Sequence, residues 1–317
     1  MSGTVTTLPE PPKTYSQPKR RIGMSTRQKR EALAAYLMIS PTLLGFLVFS
    51  LGALLAGLAL GFFDYSFFSP PKFIGLANYQ NIFVDPRVWI VFKNTVFYVV
   101  GMVLLDLVCS LGLALALNSF MPNILKIFFR TVFFFPVLTS GAVIAIVWSY
   151  LFSTDMGIVN WFLVDLGMPR IPWLISAAYA IPAVIISTVW NGVGFNMVLF
   201  IAAIKNVPQE LYEAAQIDGA GRMASFWNLT LPLITPTIFF VVVKGLIGVF
   251  QLFDSPYMLT AGGPGDSSRT IVMLIYEIGF QRIQLGLASS LAMLLFVLIL
   301  AVTMLQFLLQ RRWVFYR

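Results

Sequence analysis

Apolar residues run in six long stretches along the chain, and polar residues gather between them. Residues 32–63, 131–154, 171–204 and 283–310 contain no charged side chain, while 94–125 and 223–253 contain one each. A helix needs about 20 apolar residues to cross a hydrocarbon core of roughly 30 Å, because every backbone polar group must be satisfied within the segment. The pattern therefore predicts an all-α integral membrane protein with helices near 36–62, 95–118, 129–152, 178–203, 232–253 and 287–310. Pro136 and Pro182 fall inside two of these and predict kinks. Trp148, Trp161, Trp173 and Trp313 lie near span ends, where an interfacial belt collects aromatic rings.

Composition narrows the functions open to such a chain. Of 317 residues, 58% are apolar and 11% charged, with a mean hydropathy of +0.84, whereas an ordinary soluble domain is about 25% charged. There is no histidine and a single cysteine, Cys109, in an apolar run. Disulfide frameworks, zinc sites and histidine acid–base chemistry have almost nothing to be built from. Residues 1–31 carry Pro9, Pro11, Pro12 and Pro18 with a basic cluster of Lys19, Arg20, Arg21, Arg27, Lys29 and Arg30. This reads as a flexible cytoplasmic arm beside an anionic leaflet rather than a nucleic-acid reader, with residues 32–317 forming the six-helix domain. The first apolar run is too long for a signal-peptide core, so it is expected to stay as a helix.

Six spans put both termini on one side, and charge selects which. The N-terminal side holds fourteen Lys and Arg: those of the tail, Lys126, Arg130, Lys205, Arg222, Arg311, Arg312 and Arg317. Six fall on the other side: Lys72, Arg87, Lys93, Arg170, Arg269 and Arg282. Positive charge stays in the cytoplasm, so both ends are expected there.

The loop at 206–232 is too long and too patterned for a simple connection. Pro208 suits a first helical turn, with Gln209 and Glu210 at the positive end of the helix dipole. Leu211, Ala214, Ala215 and Asp218 continue a short helix, which Gly219-Ala220-Gly221 breaks before a second short amphipathic piece over 222–229. The small Ala214, Ala215, Gly219 and Ala220 let another backbone come close, so the segment reads as a helix–turn–helix made to dock into a partner's groove.

Glu213-Ala214-Ala215, then Gly219 after three residues, then Leu229-Thr230-Leu231-Pro232 after nine, resembles the EAA motif of binding-protein-dependent ABC importer permeases, with leucine in the place of the motif's isoleucine. Residues 208–213, 218–220, 253–264 and 73–79, with Pro41, also resemble the sugar branch of that family, closest to its maltose-type or glycerophosphate-type larger subunit. The resemblance implies a pathway subunit in the inner membrane of a prokaryote. Its partners would be a second, homologous permease, two ATPase subunits, an external solute-binding protein and the lipid bilayer. It carries over the ATPase contact to Glu213, Ala214, Ala215, Asp218 and Gly219. No cofactor is implied for this chain, since ATP and magnesium belong to the ATPase subunits. No G-x-x-x-x-G-K-[ST] occurs, and Gly262-Gly263-Pro264-Gly265 reads as an external turn.

Two charges lie at mid-depth, Asp106 and Lys244, each costing roughly 2.5–3.5 kcal/mol at a helix centre. They either pair with one another or leave Lys244 facing an aqueous cavity, where a cation leans toward a phosphorylated solute. The run from Trp190 to Asn196 mixes amides, glycines and aromatic faces in the manner of sugar sites. By resemblance, Thr188, Asn191, Gly192 and Phe195 fall at one solute-contact patch, and Gly248, Gln251 and Leu252 near another, with Asp254 at its outer end. An ion-coupled carrier or channel is the alternative, but it asks for several intramembrane acids, and only Asp106 is present. An intramembrane enzyme lacks its nucleophile and base.

Overall fold

The computed structural model describes residues 26–118 and 121–315. The chain divides into two units, 1–55 and 56–317. The first unit holds most of α1 (Thr26–Leu60), which passes Pro41 and takes π-helical turns at Phe46–Gly52. The helix begins at Thr26, so residues 26–31 are helical, with Arg27 and Glu31 paired at 2.9 Å one turn apart. The rest of the expected arm lies outside the described residues.

The second unit leaves α1 through a hairpin that the apolar pattern does not reveal. Strands β1 (Phe63–Ser66) and β2 (Ser69–Phe73) pair antiparallel with Phe63 opposite Phe73. Pro70 and Pro71 cannot donate to a ladder, which suits an edge strand. In α2 (Ala77–Val84), Asn78 Nδ2 donates to the carbonyls of Gly61 and Phe63 at 3.1 and 3.0 Å. α3 (Pro86–Asn118) starts well before the expected residue 95, because its polar first turns find partners in a distant loop.

The third apolar run is not one helix. α4 (Asn123–Leu138) and α5 (Gly141–Leu151) meet at 107°. Pro136 has no N–H to extend the ladder, residues 135–138 tighten into a 3-10 turn, and Thr139 is extended at ψ 143°. The Pro136 carbonyl, which accepts from the Thr139 N–H at 3.0 Å within that turn, also accepts from Asn191 Nδ2 at 3.0 Å. Beyond α6 (Ile158–Asp165), α7 (Ala177–Lys205) runs unbroken through Pro182, so the kink expected there does not interrupt the helix. Trp148 and Trp173 pack on buried Phe152, with ring centroids 4.7 and 5.2 Å away.

α8 (Gln209–Ile217) and α9 (Arg222–Leu233) fill the patterned loop, and α9 meets α10 (Thr235–Phe250) at 63°. The helix expected from residue 232 therefore opens at Thr235, where Thr235 Oγ1 donates to the Pro232 carbonyl at 2.6 Å. α11 (Asp254–Thr260), α12 (Ile271–Gln281) and α13 (Leu285–Arg312) complete the chain. With each bent pair taken as one span, the candidate spans among the described residues number six. α7 is the central helix: 50% of its apolar window is buried, against 11% for α13. α3 packs along it through Tyr98, Met102, Val184 and Val193, and α10 joins through Val241 in the cluster that holds Met197. Gly194 lets α4 approach so closely that a Cβ there would stand 1.9 Å from the Phe133 carbonyl oxygen.

Candidate functional site

At the end of the bundle where α3 and α7 stop, α8 and α9 form a projecting knob. α8 opens after Pro208 with Glu210 in its first turn, and Gln209 Nε2 donates to Glu213 Oε1 at 2.9 Å. Gly219 closes it at φ +79°, a left-handed conformation that costs glycine nothing, and the Ala220 N–H returns to the Ala215 carbonyl at 2.8 Å. Tyr212 Oη and Thr230 Oγ1 share a hydrogen bond of 2.8 Å, so α8 is braced against the turn that leads into α10. Glu213, Ala214, Asp218 and Gly219 are exposed and Ala215 is half-buried. Ile217 is 87% and Met223 70% exposed. These two bare apolar side chains flank the exposed face of α8.

The second cluster lies inside the bundle, where α3, α7 and α10 meet. Asn196 Nδ2 donates to Asp106 Oδ2 at 2.5 Å, while Asn196 Oδ1 accepts from Lys244 Nζ at 3.5 Å. Asp106 and Lys244 therefore do not pair directly; an amide stands between them. The Lys244 ammonium lies 4.0 Å from the centroid of the Phe195 ring, a cation–π contact. A cavity of about 120 Å3 opens beside the array, lined by Asp106, Thr188, Gly192, Asn196 and Lys244 among others. Asp106 Oδ1 and Thr188 Oγ1 are buried with no partner in the protein.

Of the residues carried to the solute path, Thr188, Gly192 and Lys244 share that cavity, and Phe195 lies under Lys244. Asn191 turns instead to the Pro136 carbonyl. Gly248 sits in the last turn of α10 and Gln251 and Leu252 just beyond it, all outside the cavity, and the Leu252 carbonyl accepts from Thr270 Oγ1 at 2.8 Å. Asn196, the centre of the array, enters the sequence reading only as one amide of the run from Trp190, not as the group that stands between the two charges. Its spacing carries a signal all the same, because Thr188, Gly192 and Asn196 recur every four residues on one helix face.

A third group, at the opposite end, went unread. Arg87 makes paired hydrogen bonds to Asp266 at 2.6 and 3.1 Å and to Glu277 at 2.7 Å each. Arg269 also bonds Asp266 and reaches Glu277 at 2.9 Å, and Arg282 reaches Glu277 at 2.5 Å. Hydrogen bonds from Arg87 above all hold both carboxyls below the usual carboxylate range. Asn94 Nδ2 donates to the Asp266 carbonyl at 2.6 Å and Tyr98 Oη to that of Ser268 at 3.0 Å. The loop over 261–270 is thereby fastened to α3.

A broken-helix bundle with a braced, projecting EAA knob at one end and a polar array at mid-depth defines a transport component of the inner membrane. The chain belongs to the family of binding-protein-dependent transport system inner membrane components, whose pattern matches residues 107–314. It is 36% identical over 274 residues to the probable ABC transporter permease protein YurN of Bacillus subtilis, covering 86% of this chain and 94% of that one. It is 32% identical to the arabinooligosaccharides transport system permease protein AraP of Halalkalibacterium halodurans, over 87% of each chain. A solved relative is a chain of the bacterial alginate ABC transporter in complex with alginate pentasaccharide-bound periplasmic protein. It superposes with a TM-score of 0.81 at 26% identity, over 90% of this chain and 96% of that one. These likenesses leave the carrier or channel alternative without support.

Proposed function

We propose that this chain forms half of the translocation pathway of an ATP-driven importer for a carbohydrate or glycerol-phosphate-like solute, which an external binding protein delivers. Sugar and oligosaccharide systems among its relatives support the solute class. The carrying observation is the knob: a short helix with exposed Glu213, Ala214, Asp218 and Gly219, bare apolar neighbours, and a brace to α10 through Tyr212 and Thr230. It is built to be gripped by another protein and to pass a push inward. In this reading two ATPase subunits hold ATP and magnesium, one of them takes α8 in a groove, and closure of the pair swings the bundle between inward-facing and outward-facing states. A second, homologous permease supplies the other half of the path. Both termini and the knob then lie in the cytoplasm, and the hairpin and the ion cluster lie outside.

A thiol introduced by Ala215→Cys, with Cys109→Ser removing the native one, tests the reading. Cross-linking in membranes should join this chain to a nucleotide-binding subunit, and deleting residues 209–219 should abolish uptake while the chain still inserts. Uptake that survives the deletion would overturn the proposal.

A further inference from the structure

We propose that Asp106 and Lys244 form a charge-balanced subsite that receives an uncharged pair of neighbouring hydroxyls from the passing solute and disfavours carboxylated, sulfonated or phosphorylated ones, with Asp106 setting the preference. This rests on the carbohydrate-importer reading and narrows it.

The geometry supplies each half of the recognition. A lysine alone at mid-depth favours an anion, yet this one shares its cavity with a carboxylate. Asn196 is committed at both ends, donating to Asp106 Oδ2 at 2.5 Å and accepting from Lys244 at 3.5 Å. The two charges stay side by side without contact, and neither cancels the other's hydrogen-bonding capacity. Asp106 Oδ1 is an acceptor with no partner in the protein. Lys244 is exposed, and its three N–H donors have one protein acceptor, Asn196 Oδ1, and the face of Phe195.

A diol fits this pair. One hydroxyl donates to Asp106 Oδ1, the next accepts from Lys244, and Thr188 Oγ1, also without a protein partner, can bond a third polar atom. The wall is open at Gly192, where a Cβ would meet nothing within 4 Å, so the edge of a sugar ring has a way in. An anionic group drawn to Lys244 would lie beside the unpartnered Asp106 oxygen, and like charges repel strongly in a medium poorer than water. Burying such a charge next to an array of zero net charge brings no compensating gain.

The test uses the whole importer in nanodiscs with a reporter thiol at the open wall, Gly192→Cys over Cys109→Ser, and reads its alkylation rate by N-ethylmaleimide. The probes are maltotriose and arabinotriose against trigalacturonate and glycerol 3-phosphate. The neutral sugars should slow alkylation at least about threefold and the charged probes should not. Asp106→Asn, which frees the Lys244 charge, should shift the preference about tenfold toward the charged probes, equivalent to one pKa-sized interaction. Asp106→Asn with Lys244→Gln, neutral again, should restore it, so a folding defect in the single variant does not decide the matter. Equal protection by charged and neutral probes, or an unchanged preference in Asp106→Asn, would overturn the proposal. If no probe protects the thiol while carbohydrate uptake continues, the subsite falls and the importer reading stands. If no carbohydrate-loaded binding protein stimulates ATP hydrolysis, the importer reading itself falls.

Discussion

Glu277→Gln should loosen the end of the bundle opposite the knob by about 2–3 kcal/mol. Both carboxylate oxygens are occupied: Oε1 by Arg87 at 2.7 Å and Arg282 at 2.5 Å, Oε2 by Arg87 at 2.7 Å and Arg269 at 2.9 Å. Glutamine keeps one acceptor and turns an NH2 toward guanidinium donors, leaving Asp266 as the acid facing Arg87 and Arg269. Its side chain is only 13% exposed, so water cannot take over the lost bonds. Hydrogen bonds to charged groups contribute about 1.5–3 kcal/mol each, and removing one partner of a buried pair costs roughly 3–5 kcal/mol. Arg87 at 24% and Arg282 at 51% exposure recover some hydration, which lowers the figure toward the value given.

The measurement is unfolding in detergent micelles for wild type, Glu277→Gln, Arg87→Gln and the double variant. Residues that share a hydrogen-bond network couple, so the double variant should be less destabilised than the sum of the singles by at least about 1 kcal/mol. Hydrogen exchange should rise first over 261–270, the loop the cluster fastens. A loss below about 0.5 kcal/mol, within the range of an ordinary surface substitution, or strict additivity, would refute the reasoning.

Other tests probe different parts of the chain. Asp266 and Glu277 titrate below their ordinary values of 3.8 and 4.5 when folded. A depressed folded value gives stability that is complete above those ordinary values and lost as pH falls through them toward the folded ones. Unfolding from pH 7 down to pH 3 should show this loss, and Glu277→Gln should flatten the curve. Gly194→Ala should cost about 3 kcal/mol or more, since its Cβ would meet the Phe133 carbonyl oxygen at 1.9 Å; Gly192→Ala, with open space, should leave folded yield unchanged. Tyr212→Phe removes one neutral hydrogen bond worth about 1 kcal/mol, and should lower solute-stimulated ATP hydrolysis in the reconstituted complex while cross-linking through Ala215→Cys persists.

The spans were legible because lipid imposes one rule on every crossing segment, and residues 171–204 satisfy it whatever their neighbours do. The bend in the third run was legible from Pro136, but not that it is a full break, because proline is tolerated inside membrane helices, as at Pro182. What decides it is tertiary: Gly194 brings α4 against α7, and Asn191 adds a hydrogen bond from α7 to the Pro136 carbonyl. The knob was readable from a local motif. The ion cluster was invisible for the opposite reason, since Arg87 and Glu277 stand far apart in sequence and only the fold makes them neighbours. Asp106 and Lys244 were visible as costs, but which amide would stand between them depended on how α7 is turned.

The bracing gives the proposed coupling a physical route from the knob at the surface to the polar array at mid-depth. α8 leaves α7 within four residues of Lys205, and Tyr212 ties it to Thr230, just before the 63° bend into α10. Phe315 N–H donates to Thr235 Oγ1 at 3.0 Å, so the chain's last described residue is bonded to the same bend. In the proposed coupling, a push on α8 would thus reach α7 and α10 together. Those two helices supply Asn196 and Lys244 to the polar array, and the third, α3, supplies Asp106 while packing along both. Packed helices move as bodies because their cores do not deform continuously. In the proposed cycle the array would therefore be carried with the knob as one piece, so that Asp106, Asn196 and Lys244 keep their places relative to one another.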